Sequence, residues 1–143
     1  MKNNFKLVFP SFSQNEAFAR AAVCAFVSQY DPTICEFNDI RSVVSEAVTN
    51  AIVHGYRDFI GNVEITATID EKRVLYIRIK DKGIGIPDIE QAMQPLYTTC
   101  TEGERAGLGF AVMEAFTDKM KVRSDVGKGT TVTLIKNLSS KSR

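Results

Sequence analysis

The stretch Asp81-Lys82-Gly83-Ile84-Gly85 follows a run of alternating apolar residues and decides how the rest of the chain is interpreted. Three other short motifs accompany it in a fixed order: EAVTN at 46–50, GLGF at 107–110 and GKGTT at 127–131. Each motif alone is a weak signal, because short glycine patterns occur by chance. Together and in this order, they indicate one composite binding site.

The composition is that of a globular protein and excludes several function classes. The 143 residues predict a single domain, 1–143, with a disordered tail from about residue 138. A formal net charge of +1 gives no reason to expect nucleic acid or a membrane surface as a partner. No apolar run approaches the roughly 18 residues of a membrane helix, and residues 1–5 do not lead into a signal peptide. We therefore expect a cytoplasmic protein.

The cysteines predict free thiols in a reducing compartment. Cys24, Cys35 and Cys100 are odd in number and form no Cys-x-x-Cys pair. The chain has 1 histidine, His54, which together with the cysteine spacing argues against a structural zinc site.

Periodicity predicts an α+β fold. A short strand at 7–9 is followed by a capping box at 13–16, which opens a helix to about residue 30. A second capping box at 33–36 opens a longer helix ending at Gly55. Further along, the pattern predicts a hairpin of 63–69 with 74–80, a mobile loop at 94–106, a helix from 107, and a hairpin of 119–124 with 130–136. These elements predict a sandwich in which a mixed, mainly antiparallel sheet is covered by helices on one face.

Two polar residues on the second helix suit a nucleotide-triphosphate site. Glu46 and Asn50 are four apart, so their side chains share one helical face. The amide oxygen of Asn50 can enter the shell of a magnesium ion, which prefers oxygen ligands. The carboxylate of Glu46 can orient or deprotonate a hydroxyl nucleophile near a γ-phosphate.

The strand end at Asp81 suits the base of a nucleotide. An ionised carboxylate only accepts hydrogen bonds, which matches the exocyclic amine of adenine and disfavours the carbonyl of guanine. Gly83 and Gly85 let the backbone pass close to the base.

The third motif suits phosphates. Gly107 and Gly109 are predicted to precede a helix, where free N–H groups and the positive helix end attract anions. Arg105 stands just before them, and its guanidinium can pair with phosphate oxygens. The chain has no Gly-x-x-x-x-Gly-Lys-Ser/Thr motif, so any phosphate transfer uses another architecture.

In their order, the four motifs resemble the boxes of the GHKL superfamily of ATPases and kinases, whose ATP pocket is built without a P-loop. A narrower resemblance covers about residues 4–138. The stretches at 13–16, 44–52, 85–90 and 94–99 look like the anti-sigma F factor family of endospore-forming bacteria.

That resemblance implies a homodimer that inhibits the sporulation sigma factor F. It also implies a serine protein kinase that phosphorylates an anti-anti-sigma factor with ATP and magnesium. By resemblance, a lid at 95–106 senses the γ-phosphate. The residue roles that it implies are the following: Glu46 as base; Asn50 for magnesium; Asp81, Gly83 and Thr130 for adenine; Arg105, Gly107 and Gly109 for phosphates; Arg20 for both protein partners.

Three alternatives stay open at this point. The chain could be a histidine kinase catalytic domain, an ATP-gated binding module without phosphotransfer, or the relative that controls the general-stress sigma factor. His54 lies four residues after Asn50 near the helix end, and a structural or capping role is the simpler interpretation of it.

Overall fold

The computed structural model describes residues 2–86 and 104–139, and for 104–109 it describes only the course of the backbone. Three helices and five strands form in this part of the chain, with one π-helical segment. In chain order they are β1 (Asn3–Pro10), α1 (Asn15–Ser28), α2 (Ile34–Asn50), the π-helical segment (Ala51–Gly55), β2 (Asn62–Ile69), β3 (Val74–Asp81), α3 (Glu104–Ala115), β4 (Lys119–Asp125) and β5 (Gly129–Asn137).

The strands form one sheet in the order β1-β2-β3-β5-β4. All four neighbouring pairs are antiparallel, so the parallel part expected of a mixed sheet is not found among the described residues. Both predicted hairpins, β2 with β3 and β4 with β5, are confirmed. The non-sequential neighbours β3 and β5 bring the end of β3, at Asp81, beside the start of β5.

One face of the sheet is buried under the helices. Along β2 and β3 every second residue is buried, and these residues join buried positions of α1, α2 and α3 in one apolar core. Full burial of an Ile, Leu or Val side chain contributes roughly 1.5–3 kcal/mol to folding. This register directs the core-facing residues at the strand ends, including Asp81, toward the helices. The predicted α+β sandwich with helices on one face is thus confirmed.

Only one of the two predicted capping boxes forms. The Thr33 hydroxyl accepts the Glu36 N–H at 3.1 Å, and a Glu36 carboxylate oxygen accepts the Thr33 N–H at 2.8 Å. The box predicted at 13–16 is wrong, since α1 has no side-chain cap and the Glu16 carboxylate faces Arg20 at 3.6 Å.

The C-terminal end of the fold extends further than predicted. Leu138 is buried, and its N–H donates to the carbonyl oxygen of Arg73 at 2.9 Å. The Ser139 N–H and hydroxyl both donate to Glu36 Oε2, at 2.7 and 2.8 Å. The chain thus keeps contacts with the fold through Ser139, and the rest of the tail predicted from about 138 lies outside the described residues.

Candidate nucleotide-binding site

A row of residues crosses the sheet where β3 ends and β5 begins. The register places Val63 opposite Asp81, Asp81 opposite Thr130, and Thr130 opposite Ser124. Asp81 and Thr130 are 6% and 8% exposed, so two polar side chains lie side by side in an otherwise apolar region. Buried polar groups of this kind cost free energy unless they are hydrogen-bonded, so the row marks a candidate site.

The carboxylate of Asp81 is held by the backbone. Its Oδ1 accepts the N–H of Gly83 at 2.9 Å, which closes a tight turn directly after β3. Burial raises the pKa of the Asp81 carboxyl above its ordinary value, and hydrogen bonds from the backbone of Gly83 and Thr130 partly offset that rise. Any ligand that donates hydrogen bonds to this carboxylate would compensate part of its desolvation.

Gly55, the last residue of the π-helical segment, lies against the side chain of Asp81. A Cβ placed on Gly55 would lie 2.8 Å from Cγ of Asp81, and one placed on Gly83 would lie 1.9 Å from the Gly55 carbonyl oxygen. Two backbones and a carboxylate therefore meet at a point where only glycine fits. The local sequence predicts only a helix end at Gly55, and its place in the site follows from the fold.

Gly83→Ala is expected to destabilise the protein by about 2–3 kcal/mol, which is the usual cost of overpacking a rigid contact. The melting temperature should fall by roughly 5–10 °C in calorimetry. Gly127→Ala is the matched control, because a Cβ there meets nothing within 4 Å and only its φ of +82° is unfavourable. The control should lose only about 1–2 kcal/mol, and equal losses in both variants would contradict the contact.

The turn after β3 is tied to its neighbours by backbone hydrogen bonds. The Ile84 N–H donates to the Gly55 carbonyl at 2.9 Å, and the Ile84 carbonyl accepts the Gly127 N–H at 2.8 Å. The Ile86 N–H donates to the Ser124 hydroxyl at 2.7 Å. The glycine motif is therefore fixed from both sides, by the end of the π-helical segment and by the turn between β4 and β5.

Two further contacts complete the turn. Gly85 has a φ of +80°, and a Cβ there would lie 2.4 Å from the carbonyl oxygen of Asp125, so both conformation and space require glycine. The Tyr56 hydroxyl accepts the Lys82 N–H at 2.5 Å and donates to the Asn62 carbonyl at 2.6 Å. Tyr56, which the sequence did not single out, thus links the turn to the start of β2.

On α2, Glu46 is half-buried and Asn50 is 9% exposed. The Nδ2 atom of Asn50 is buried with no hydrogen-bond partner in the described part of the chain. Because amide oxygen and nitrogen exchange places by a half-turn of the side chain, this unpaired position can equally hold the oxygen. Asn50 ends α2, directly before the π-helical segment that reaches Asp81, and a buried amide position without a partner among the described residues fits a ligand oxygen or a metal ion.

The structure corrects the predicted start of the third helix. α3 begins at Glu104, so Arg105 is its second residue, and Gly107 and Gly109 lie within its first two turns instead of before it. Residues 104–106 are good helix formers, which explains why the helix starts ahead of the glycine motif. The free N–H groups at the helix start therefore precede Gly107. The part of the predicted lid from 95 to 103 lies outside the described residues.

The remaining singled-out residues are not members of this row. Arg20 is on α1, half-buried beside Glu16 at 3.6 Å. Cys24 is buried and Cys35 exposed, both as free thiols; Cys100 lies outside the described residues. His54 is in the π-helical segment, and its Nδ1 is buried without a hydrogen-bond partner in the described ranges.

The pKa of His54 is lowered from its ordinary 6.5, mainly by burial and secondly by the charge of Arg57. Protonation therefore favours the unfolded chain, so stability should decrease as the pH falls through 6.5 toward the lower folded pKa. Since the chain has 1 histidine, its imidazole signal in proton NMR reports this pKa directly. A midpoint at or above 6.5 would contradict the burial of the imidazole. In His54→Gln this part of the pH dependence should disappear.

The sequence and the fold were compared with those of known proteins. The model of the family described as histidine kinase-like ATPase domain matches residues 10–136. Relatives named anti-sigma F factor are 51% identical in Bacillus licheniformis and 50% identical in Bacillus subtilis (strain 168), each over 97% of this chain and 95% of the relative. A third, from Geobacillus stearothermophilus, is 52% identical over 95% of this chain and 93% of the relative.

Solved structures support the fold alone, because their sequence identities are low. The RsbU and RsbW domains of a Mycobacterium tuberculosis protein superpose with a TM-score of 0.72 at 19% identity, over 99% of this chain and 34% of that chain. The histidine kinase domain of a blue-light activated kinase from Erythrobacter litoralis gives a TM-score of 0.56 at 18% identity, over 86% of this chain and 60% of that one. No helix in the described ranges is long and apolar enough to cross a membrane. With half of its residues identical to those relatives over nearly its whole length, the chain belongs to the anti-sigma F factor family of GHKL, histidine kinase-like ATPase domains.

Proposed function

We propose that this protein is an anti-sigma factor that binds and inhibits the sporulation sigma factor F and phosphorylates a serine of an anti-anti-sigma factor, using ATP and magnesium. The family supports the first part, since its members carry the name anti-sigma F factor. The proposal of nucleotide binding rests on the buried acceptor pair Asp81 and Thr130, which lie on adjacent strands beside the π-helical segment that follows α2.

In the proposed complex, Asp81 binds the exocyclic amine of adenine. Its carboxylate is preorganised by the Gly83 N–H, and the amine offers the donors that a buried carboxylate lacks. Thr130 supports the same edge of the base, directly or through water. Gly83 and Gly85 are proposed to line the site beside the base, where the close contacts of Gly83 with Gly55 and of Gly85 with Asp125 hold their backbone in place.

Asn50 is the proposed magnesium ligand. One position of its buried amide has no hydrogen-bond partner among the described residues, and the amide oxygen placed there fits a hard cation that takes oxygen ligands and keeps several waters. When bound, magnesium would supply positive charge at the phosphates. Arg105, Gly107 and Gly109 are proposed to face the phosphates from the first turns of α3, where the helix dipole favours anions.

Glu46 is the proposed general base. It lies one helical turn before Asn50 on α2 and so shares the face that carries the unpaired amide. In the transfer, Glu46 takes the proton of the substrate serine hydroxyl and the serine oxygen forms a bond to the γ-phosphorus. The bond from that phosphorus to the bridging oxygen breaks, which releases ADP and leaves phosphoserine.

The protein partners are proposed from the family to which the chain belongs. Arg20 is proposed to contact both the sigma factor and the anti-anti-sigma factor. Its guanidinium lies half-buried beside Glu16 at 3.6 Å, so the charge is held in place on the surface of α1. The protein is proposed to act as a homodimer in the cytoplasm, and a lid at 95–106 to make partner choice depend on the γ-phosphate.

The decisive experiment is the intact mass of a candidate anti-anti-sigma protein after incubation with this protein, ATP and magnesium. A gain of one phosphate, localised to a serine, would establish the kinase. Confirmed ATP binding without any gain would favour an ATP-gated binding module. Phosphorylation of an anti-anti-sigma factor of the general-stress system in preference to that of the sporulation system would favour the relative that controls the general-stress sigma factor.

A further inference from the structure

The hydroxyl of Ser124 makes three close polar contacts at the edge of the nucleotide site. It accepts the Ile86 N–H at 2.7 Å and lies 3.0 Å from the Gly129 carbonyl oxygen. It also lies 2.8 Å from the hydroxyl of Thr130, its cross-strand neighbour. Neither the sequence motifs nor the roles proposed above use this side chain.

Only one assignment of protons satisfies all three contacts. A hydroxyl carries one proton and two lone pairs. The Ile86 N–H can only donate and the Gly129 carbonyl can only accept, so the Ser124 proton goes to Gly129 and one lone pair to Ile86. The remaining lone pair must then receive the proton of Thr130.

This assignment determines the polarity of Thr130. With its proton directed to Ser124, the Thr130 hydroxyl can only accept from any other group. The opposite residue on β3 is Asp81, whose ionised carboxylate also only accepts. The edge of the site thus presents two adjacent acceptors and no side-chain donor from this pair.

We propose that Ser124 is a specificity-determining residue of the nucleotide site, which holds Thr130 as an acceptor and so selects a base with an amino group at this edge over one with a carbonyl. The inference rests on the proposed binding of ATP. Ser124 acts through Thr130 and is a positioning residue. A purely structural serine that only anchors Ile86 would affect every nucleotide equally.

The test compares the Kd of ATP with that of inosine triphosphate, which has a carbonyl in place of the amine. In Ser124→Ala the Thr130 hydroxyl is free to turn and donate to that carbonyl. The ratio of the Kd of inosine triphosphate to the Kd of ATP should fall about tenfold, which corresponds to the free energy of one hydrogen bond. Ser124→Thr keeps the hydroxyl and should restore the ratio. Ser124→Cys, a weak hydrogen-bonding group, should give an intermediate ratio and covers the case in which the alanine variant does not fold.

A double-mutant cycle shows whether the effect passes through Thr130. In a Thr130→Val background, Ser124→Ala should leave the ratio unchanged, because no hydroxyl remains to be oriented. A ratio that stays constant in Ser124→Ala, or that changes equally in both backgrounds, would overturn the inference while leaving ATP binding intact. Failure of the wild-type protein to bind ATP would instead overturn the proposed function on which the inference rests.

Discussion

Glu46→Gln is expected to lower the rate of phosphotransfer to the anti-anti-sigma factor by 10²- to 10⁴-fold, about the usual contribution of a general base. Glutamine keeps the size of the side chain and its place on α2 but cannot take the serine proton at neutral pH. The affinity for ATP should change by less than about threefold, because the proposed base contacts the incoming serine and not the nucleotide. Single-turnover kinetics by intact mass, combined with calorimetric ATP titration, measure both quantities.

The matched control is Asp39→Asn, the same carboxylate-to-amide change near the other end of α2. Asp39 pairs with Lys136 at 3.1 Å, remote from the nucleotide row, so its loss should reduce stability slightly and leave phosphotransfer unchanged. A Glu46→Gln protein that transfers phosphate at the wild-type rate would remove Glu46 from the mechanism. A variant that fails to bind ATP would show that Glu46 supports the nucleotide.

Asp81→Asn is expected to weaken ATP binding by about 100-fold, because a charged acceptor for the adenine amine becomes a neutral amide. Asp125→Asn serves as the control for charge, since Asp125 is exposed on β4 and should leave the affinity unchanged. Calorimetric titration of both variants with ATP provides the measurement. An affinity equal to that of the wild type in Asp81→Asn would exclude Asp81 from base recognition.

Measuring the stability of Asp81→Asn shows whether weaker ATP binding results from a lost contact or from unfolding. Burial raises the pKa of Asp81, so the folded state retains its proton more readily than the unfolded state. The stability of the wild type relative to Asp81→Asn should therefore decrease as the pH rises from 3.8 toward the raised folded pKa, and then stay constant. At neutral pH the variant should unfold within about 1 kcal/mol of the wild type. Thermal melts at several pH values check this.

The sequence predicted the elements whose information is local. The two hairpins follow from strict alternation, and the capping box at Thr33 forms with Glu36 Oε1, which leaves Oε2 to accept from Ser139. The box at Ser13 fails because Glu16 faces Arg20 and not the helix end. At α3 the glycine motif predicts a helix start at 107, whereas the helix formers just before it extend the helix to Glu104.

The residues missed in the site depend on contacts between distant parts of the chain. Gly55 has the local pattern of a helix end, and only the packing of the π-helical segment on β3 shows that Asp81 occupies the space of its Cβ. Ser124 has the pattern of an ordinary strand residue. Its importance depends on lying opposite Thr130 and on reaching Ile86, which is 38 residues away in the chain. The order of the four motifs was enough to predict where the nucleotide site lies. The contacts of Gly55 and Ser124 that support the site could be found only from the folded structure.

The change from α- to π-helix after Asn50 makes the site sensitive to the number of residues in this segment. In the π-helical turn the Tyr56 N–H donates to the Ala51 carbonyl, five residues earlier, at 3.1 Å. A deletion of one residue here would allow a regular α-helix, whose i→i+4 turn holds one residue fewer than the π turn. Gly55 and its carbonyl would then be displaced relative to Asp81 and the Ile84 N–H, and a residue with a side chain could occupy that place instead. Insertions and deletions in this segment are therefore under a constraint that substitutions alone would not reveal, since helix content could be preserved while the contact of Gly55 with Asp81 is lost.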